Sequence, residues 1–300
     1  MHAVALRPAS MIKNGMARMI VGSRGSVIAV SQTRRVLAEL SNEWPDVNLT
    51  QRTFQGGDGE LLKALEDDKV HIVLFDLSDL PLELPEGCQL AAVTKRQEPR
   101  SALLSKGSTL KSLNDVGDAT IVGVQTERDG AFVRAAKPGV TTKLLKGTFD
   151  DNLAQLASEE LSALVLPCAY LLQLERRRNA EVLLEPEVFP PAPGQGCIAF
   201  VVKDNDDLAF ELAYSMQHRP SFDRVRTERA FARAFKDAED VAVGALATVS
   251  SDGEMNLFGA ATLKDDPLHI QGETSGEASE GESLGKELAK DILEQLEQRR

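Results

Sequence analysis

The stretch KVHIVLFDLSDLP, Lys69 to Pro81, contains an apolar run that is followed directly by two carboxylates, Asp76 and Asp79. A short apolar run of this kind predicts a strand that is buried in a parallel sheet. In open α/β sheets, ligands bind at the carboxyl ends of the strands. Either aspartate could therefore exchange protons with a bound molecule. The alternative is a turn before Pro81 in which an aspartate side chain caps the backbone.

Short apolar runs and amphipathic segments alternate on both sides of this stretch. Around it we predict strands at 19–22, 47–54 and 88–94. The pattern then restarts, with strands at 101–105, 120–124, 141–145 and 163–166 and helices at 126–136, 149–158 and 168–177. This alternation predicts two α/β units with mostly parallel sheets. An apolar run at 197–202 could cross back to the first unit, and two such units indicate a cleft that closes on a small molecule.

The last third of the chain has a different pattern. A helix is predicted at 223–235, and strands at 241–249 and 257–263 are joined by Ser-Ser-Asp-Gly, a hairpin signal. Residues 272–281 are polar and acidic and predict a loop. The final helix carries Leu284, Leu288, Ile292 and Leu296 at four-residue spacing. These elements predict a small α+β domain.

Composition limits the class of protein. The chain has 300 residues and a formal net charge of −12, which argues against nucleic acid as the main partner. Cys88, Cys168 and Cys197 are far apart, which indicates free thiols in a reducing compartment, and no His/Cys/Asp cluster suggests a metal. No segment has the ~20 apolar residues that cross a bilayer. We therefore expect a cytoplasmic protein with a disordered leader at 1–17.

Several cations and one glycine loop are candidates for a binding site. Arg24 and Ser26 lie between a strand and a helix start, where backbone N–H groups favour an anion. Arg100, Arg128 and Lys146 could join in clamping a polycarboxylate, but for each residue taken alone the pattern favours an ordinary surface cation. The loop APGQG, with Gly194, Gln195 and Gly196, could be a hinge or an ordinary tight loop.

Taken in order, several motifs resemble the porphobilinogen deaminase (hydroxymethylbilane synthase) family. The opening VGSRGS at 21–26 is similar to the first motif of that family, and DLSDLP at 76–81 is similar to its His-Ser-Met-Lys-Asp-Val-Pro segment. The other motifs in the series are EPR at 98–100, IVG at 121–123, APGQG at 192–196 and TERA at 227–230. The series covers nearly the whole chain after Met19.

This resemblance implies a fold and a reaction. It implies two periplasmic-binding-protein-like (type II) α/β lobes plus a small C-terminal α+β domain. We place domain 1 at 18–97 and 198–219, domain 2 at 98–197 and domain 3 at 220–300. The family joins four porphobilinogen molecules head to tail in tetrapyrrole biosynthesis, with loss of ammonia, on a dipyrromethane cofactor that is tethered to a cysteine of the third domain.

The resemblance also implies roles for individual residues, which are assigned by matching positions in the motifs. Asp79 matches the catalytic aspartate, and the substrate-binding positions are Arg24, Ser26, Arg100, Thr126, Arg128 and Lys146. The chain also departs from the family. Asp129 stands where the family has a second arginine, Ser78 where it has a lysine, and the lysine-bearing loop between Phe54 and Glu60 is shortened.

The largest departure lies at the cofactor anchor, where Glu239 occupies the cysteine position. A carboxylate cannot form the thioether, which needs a thiolate nucleophile. We therefore expect that dipyrromethane is not covalently attached. Separately, we expect that no metal is used and that the protein is a monomer acting on a small polycarboxylate. The alternative is a catalytically degenerate paralogue that binds a pyrrole, a tetrapyrrole or another small acid, or that serves as a regulatory partner.

Overall fold

The computed structural model describes residues 17–107, 110–158, 160–176 and 182–299. The predicted leader lies outside these residues except for Ala17, which begins the first strand. No helix in the described ranges is long and apolar enough to span a membrane. The chain forms two compact units. The first comprises the described part of Met1–Phe75 with Leu84–Ala92 and Ala199–Gln217, and the second comprises the described parts of Asp76–Glu83, Val93–Ile198 and His218–Arg300.

Thirteen strands and eight helices are described, and they are labelled in chain order. The first group is β1 Ala17–Arg24, α1 Val27–Glu43, β2 Val47–Phe54, α2 Asp58–Glu66, β3 Ile72–Asp76 and β4 Cys88–Val93. The second group is β5 Ser101–Ser105, β6 Ile121–Val124, α3 Glu127–Ala136, β7 Thr141–Leu144, α4 Phe149–Ala157, β8 Ala163–Pro167, α5 Cys168–Gln173 and β9 Val182–Leu183. The third group is β10 Ile198–Lys203, α6 Asp207–Ser215, α7 Arg219–Arg233, β11 Val241–Val249, β12 Glu254–Leu263, β13 His269–Glu277 and α8 Gly281–Arg299.

The first sheet has the strand order β2-β1-β3-β10-β4. β1 pairs in parallel with β2 along its whole length and with β3 at Val21 and Gly22. Four of the five residues of β3 are buried, as the sequence predicted for a strand that is covered on both faces. α1 buries Val36 and Leu40 and ends at Glu43, just before Pro45.

The second sheet is mixed rather than mostly parallel as predicted, with the order β7-β6-β8-β5-β9. β6 runs parallel to β7 and β8, whereas β5 runs antiparallel to β8 and β9. α3 and α4 begin at capping threonines, Thr126 and Thr148, whose hydroxyls accept from the backbone N–H groups of Asp129 and Asp151. The two-residue strand β9 and the helix α6 were not predicted from the sequence.

The C-terminal domain is a three-stranded antiparallel sheet packed against α7 and α8. The predicted hairpin is confirmed, since β11 and β12 pair from Val241↔Leu263 to Val249↔Met255 around the turn at Gly253. The four apolar residues predicted on one face of the last helix are all buried. Together with the two sheets above, this domain confirms the predicted class of two α/β lobes and a small α+β domain. The exact domain boundaries stay a prediction.

The sequence expectation for residues 272–281 is also wrong. Residues 272–281 do not form a loop, because most of them belong to β13, which pairs with β12 from Glu254↔Glu277 to Thr262↔His269. Part of the inward face of β13 was missed because glycine supplies two of its positions, Gly272 and Gly276. A Cβ at Gly272 or Gly276 would lie 3.1 Å from the side chain of Leu288 or Leu284 of α8. Because α8 packs so closely against β13, glycines stand at positions where apolar side chains usually mark the buried face of a strand.

Candidate active site

Asp79 lies on a short, well-anchored loop. β3 ends at Asp76, and Leu77–Asp79 form a single 3₁₀ turn. The Leu77 N–H donates to the carbonyl of Cys197 at 2.9 Å, and the Leu80 N–H donates to the Leu77 carbonyl at 3.2 Å. Both leucine side chains are buried, whereas Asp79 between them is half-buried. A carboxylate is thus presented at the carboxyl end of a strand by a backbone that is fixed on its N-terminal side.

The C-terminal side of the same loop is held by α7. Arg229 donates from Nη1 to the Leu80 carbonyl at 3.0 Å and from Nη2 to the Pro81 carbonyl at 2.5 Å. Arg233, one turn later on the helix, donates to the Leu82 carbonyl at 3.2 Å. Arg229 is only 5% exposed, whereas Arg233 is exposed. Burial, and then the neighbouring charge of Arg233, lower the pKa of Arg229 to about 10, so its guanidinium is still charged at neutral pH.

Two of the predicted anion-binding residues belong to the first compact unit. Arg24, the last residue of β1, forms an ion pair with Asp58, to which its Nε donates at 2.8 Å. Ser26 is the N-cap of α1, and its hydroxyl accepts from the Ala29 N–H at 3.2 Å. The guanidinium therefore already has a carboxylate beside it, and the hydroxyl already holds one helix N–H group.

Arg100 and Arg128, in the second unit, also pair with carboxylates of this chain. Arg100 forms a two-pronged pair with Glu98, at 2.8 and 3.1 Å, and contacts Glu185 at 2.8 Å. These carboxylates raise the pKa of Arg100. Arg128 pairs with Asp129 at 2.8 Å.

The remaining donors of Arg128 point to the backbone. Its Nε donates to the Val243 carbonyl at 2.6 Å, and its Nη2 donates to the carbonyl of Pro190. Burial lowers the pKa of Arg128, although the adjacent carboxylate of Asp129 opposes this effect. Arg128 thus connects α3 with β11 of the C-terminal domain. Of the last two predicted positions, Thr126 caps α3 and Lys146 is exposed.

The predicted hinge residues form a tight turn with specific hydrogen bonds. Gly194 and Gly196 have φ values of +83° and +86°, which favour glycine. The Gly194 N–H donates to Glu228 at 2.7 Å, and the buried Gln195 amide donates to the Pro99 carbonyl at 2.7 Å. A Cβ at Gly194 would lie 2.7 Å from Leu77, so this loop also packs against the Asp79 turn. Whether it acts as a hinge stays a prediction.

The predicted anchor position carries Glu239, whose side chain does not fit a thioether-linked cofactor. Glu239 is exposed on the segment between α7 and β11, and its carbonyl accepts from Lys264 Nζ at 2.5 Å. Cys168 and Cys197 are buried, and burial raises the pKa of Cys197 to about 12. Cys88 is half-buried and belongs to the first unit. Glu239 therefore offers no thiol, and burial keeps the Cys197 thiol from forming the thiolate that a thioether needs.

Sequence reasoning missed the residues that hold the others in place. The TERA motif at 227–230 was noted without a role for any of its members, yet Glu228 and Arg229 bind the two loops described above. Asp58, Glu98 and Glu185 were not identified as partners of the candidate arginines. Apart from the short spacing of Glu98 and Arg100, these pairs join residues that are far apart in the chain, so the sequence carries little signal for them.

The fold and the loop of Asp79 define a two-lobed α/β protein with a carboxylate at the end of a central strand. The family model "Porphobilinogen deaminase, dipyromethane cofactor binding domain" matches residues 19–211. A porphobilinogen deaminase of Thermus thermophilus is 38% identical over 293 residues, 93% of this chain and 97% of the relative. One of Deinococcus radiodurans is 33% identical over 93% of this chain and 96% of the relative.

Among solved structures, the effector-binding domain of BenM with its effector benzoate is 13% identical. The match covers 68% of this chain and 91% of the BenM domain, with a TM-score of 0.48. The family model spans more than half of this chain, and the relatives cover nearly all of it. The chain therefore belongs to the porphobilinogen deaminase family.

Proposed function

We propose that this chain condenses porphobilinogen head to tail, as a hydroxymethylbilane synthase of tetrapyrrole biosynthesis, with Asp79 as the acid/base. The observation that carries the proposal is the placement of Asp79. In a chain that belongs to this family over nearly its whole length, the aspartate at the catalytic position lies on a fixed turn at the carboxyl end of β3. Ligands of open α/β sheets bind at such strand ends.

Each condensation requires a proton to be moved twice. The aminomethyl group of one porphobilinogen leaves as ammonia, so its nitrogen must be protonated before the C–N bond breaks. A new C–C bond then joins that methylene carbon to the free ring carbon of the next pyrrole, which loses a proton. One carboxyl group can donate the first proton and accept the second. Asp79 is the candidate for both steps.

A covalent primer is not part of this proposal. Glu239 occupies the anchor position, and the C-terminal domain contains no cysteine. We propose that the first pyrrole unit is held without a covalent bond. Because Arg100 and Arg128 are each paired with a carboxylate of the chain, we also expect the elongating, highly acidic product to bind less tightly than it would to unpaired arginines.

The same proposal places the protein in the cytoplasm as a monomer. Its three cysteines, all within the described residues, form no disulfide, as is usual in a reducing compartment. Its partner is a small polycarboxylate rather than nucleic acid, since the net charge is −12.

Turnover of porphobilinogen is the direct test. Purified protein is incubated with porphobilinogen, ammonia and porphyrin products are measured, and the intact mass of the protein is recorded. We expect ammonia release by the wild type, a loss of at least about 100-fold in Asp79→Asn, and no dipyrromethane adduct, because a general acid/base typically contributes 10²–10⁴-fold. Asp76→Asn is the matched control, with near-normal turnover.

Three results would change this conclusion. No ammonia release by the wild type would favour the alternative, a paralogue that binds a pyrrole or another small acid without catalysis. Turnover that survives in Asp79→Asn would remove the acid/base role of this residue. An adduct in the intact mass would contradict the non-covalent primer.

A further inference from the structure

The turn that carries Asp79 is fixed by two different parts of the second compact unit. On its N-terminal side, Leu77 donates to the Cys197 carbonyl and packs against Gly194. On its C-terminal side, Leu80 and Pro81 present their carbonyls to Arg229 of α7. Asp79 directly precedes Leu80, so the conformation of its backbone depends on both attachments.

Arg229 is suited to this task by its shape. A guanidinium is planar and directs several N–H groups at fixed angles, so one side chain can bind two successive carbonyls. A lysine has a single nitrogen and no fixed fork. Because Arg229 and Leu80 are buried, the hydrogen bond between them competes little with water, and breaking it would leave the buried Leu80 carbonyl without this donor.

We propose that Arg229 is the positioning residue for Asp79: through the carbonyls of Leu80 and Pro81 it holds the turn in the conformation that presents the carboxylate to the substrate. This inference rests on the proposed function for its catalytic consequence. Its structural part, control of the turn by α7, can be measured without activity. Misplacing a catalytic group by about 1 Å can cost roughly 100-fold in rate, so this control matters for turnover.

The contacts of Glu228 fix the part of α7 that carries Arg229. Glu228, the neighbouring residue, is fully buried and accepts from the backbone N–H groups of Gly194 at 2.7 Å and Ala247 at 2.8 Å. It also pairs with Arg96. Arg229 therefore projects from a helix segment that is itself fixed to β11 and to the glycine loop, and any shift of this segment would be transmitted to the Asp79 turn.

The test compares two arginines on the same helix. Arg229→Gln removes the buried guanidinium that binds the Leu80 and Pro81 carbonyls. Arg233→Gln removes an exposed hydrogen bond to the Leu82 carbonyl and serves as the matched control. Hydrogen exchange of the segment 76–83 is measured by mass spectrometry in the full-length chain. We expect exchange in this segment to be at least about 10-fold faster in Arg229→Gln and unchanged in Arg233→Gln, because local opening sets the exchange rate.

Kinetics with porphobilinogen provide the second readout. We expect kcat of Arg229→Gln to fall about 10- to 100-fold with KM changed less than about threefold, since the substrate-binding residues are intact. Millimolar guanidinium should partly restore the rate of Arg229→Ala but not change that of Arg233→Ala. If Arg229→Gln fails to fold, Arg229→Lys keeps the charge without the fork and should show the same loss to a smaller extent.

The possible failures can be distinguished. A wild-type protein that releases no ammonia contradicts the proposed function, and hydrogen exchange then decides alone whether Arg229 holds the turn. An active wild type with unchanged exchange and unchanged kcat in Arg229→Gln overturns this inference and leaves the proposed function standing. A parallel loss in Arg229→Gln and Arg233→Gln would indicate general destabilisation of α7 and would also overturn it.

Discussion

At the scale of single residues, the candidate site differs from a simple cluster of cations. Each candidate arginine has a carboxylate of the same chain within hydrogen-bonding distance: Arg24 has Asp58, Arg100 has Glu98, and Arg128 has Asp129. A substrate carboxylate that bound to any one of these arginines would compete with the partner of that arginine. At ~4 Å and an effective dielectric near 20, one such pair is worth up to about 4 kcal/mol before screening, so the competition is substantial.

The cysteines give a prediction at this scale, because a relocated covalent anchor would need a reactive thiol. With a pKa of about 12, Cys197 has roughly one thiolate in ten thousand molecules at pH 8. Cys168 is fully buried, and only Cys88 is half-buried. We expect iodoacetamide to label Cys88 alone in the native protein, and slowly, since burial also raises its pKa. All three cysteines should react after denaturation.

Peptide mass spectrometry identifies the labelled thiol, and Cys88→Ser is the control that should abolish native labelling. Rapid native labelling of Cys197 would mean that this thiol is accessible. It would also reopen the possibility of a covalent primer at this residue.

At the scale of secondary structure, most elements could be predicted from the sequence because their apolar residues repeat with the period of a strand or a helix. β2 and β11 match the predicted ranges residue for residue. β13 was missed because two of its positions facing α8 are glycines, Gly272 and Gly276. Asp79 became a candidate because it follows a strand and matches the catalytic aspartate of the family, but the hydrogen bonds from Arg229 join residues about 150 positions apart, which no local pattern reveals.

The packing of α8 on α7 gives a prediction at this scale. A Cβ at Gly285 of α8 would lie 2.5 Å from the Thr227 carbonyl and 2.9 Å from the Phe231 N, which are backbone atoms of α7. Gly285→Ala should therefore destabilise the protein by about 1–3 kcal/mol, because overpacking outweighs the better helix propensity of alanine. It should also speed hydrogen exchange in the segment 76–83, since Arg229 lies in this part of α7.

Gly59 is the matched control, as a helical glycine of α2 that is exposed and has no atom within 4 Å of an added Cβ. Gly59→Ala should stabilise by about 0.5–1 kcal/mol through helix propensity alone. Urea unfolding followed by circular dichroism measures both changes. If Gly285→Ala and Gly59→Ala changed the free energy of unfolding in the same direction, this would contradict the close contact between α7 and α8.

At the scale of the whole molecule, net charge sets how an acidic substrate approaches. The chain carries a formal charge of −12, and the candidate arginines that would otherwise attract carboxylates are paired with carboxylates of the chain. The long-range field therefore opposes the approach of porphobilinogen rather than assisting it. Salt screens such a field over a Debye length of about 10 Å at 0.1 M ionic strength.

We therefore expect kcat/KM for porphobilinogen to rise about two- to threefold between low salt and about 0.2 M sodium chloride, because screening weakens the repulsion. Glu98→Gln is the informative variant. It removes one of the two negative charges paired with Arg100 and leaves the contact between Arg100 and Glu185 in place. Its kcat/KM should be higher at low salt and should depend less on salt. A kcat/KM that falls with salt in the wild type would show instead that unpaired positive charge dominates the site, and that the ion pairs of Arg24, Arg100 and Arg128 open when the substrate binds.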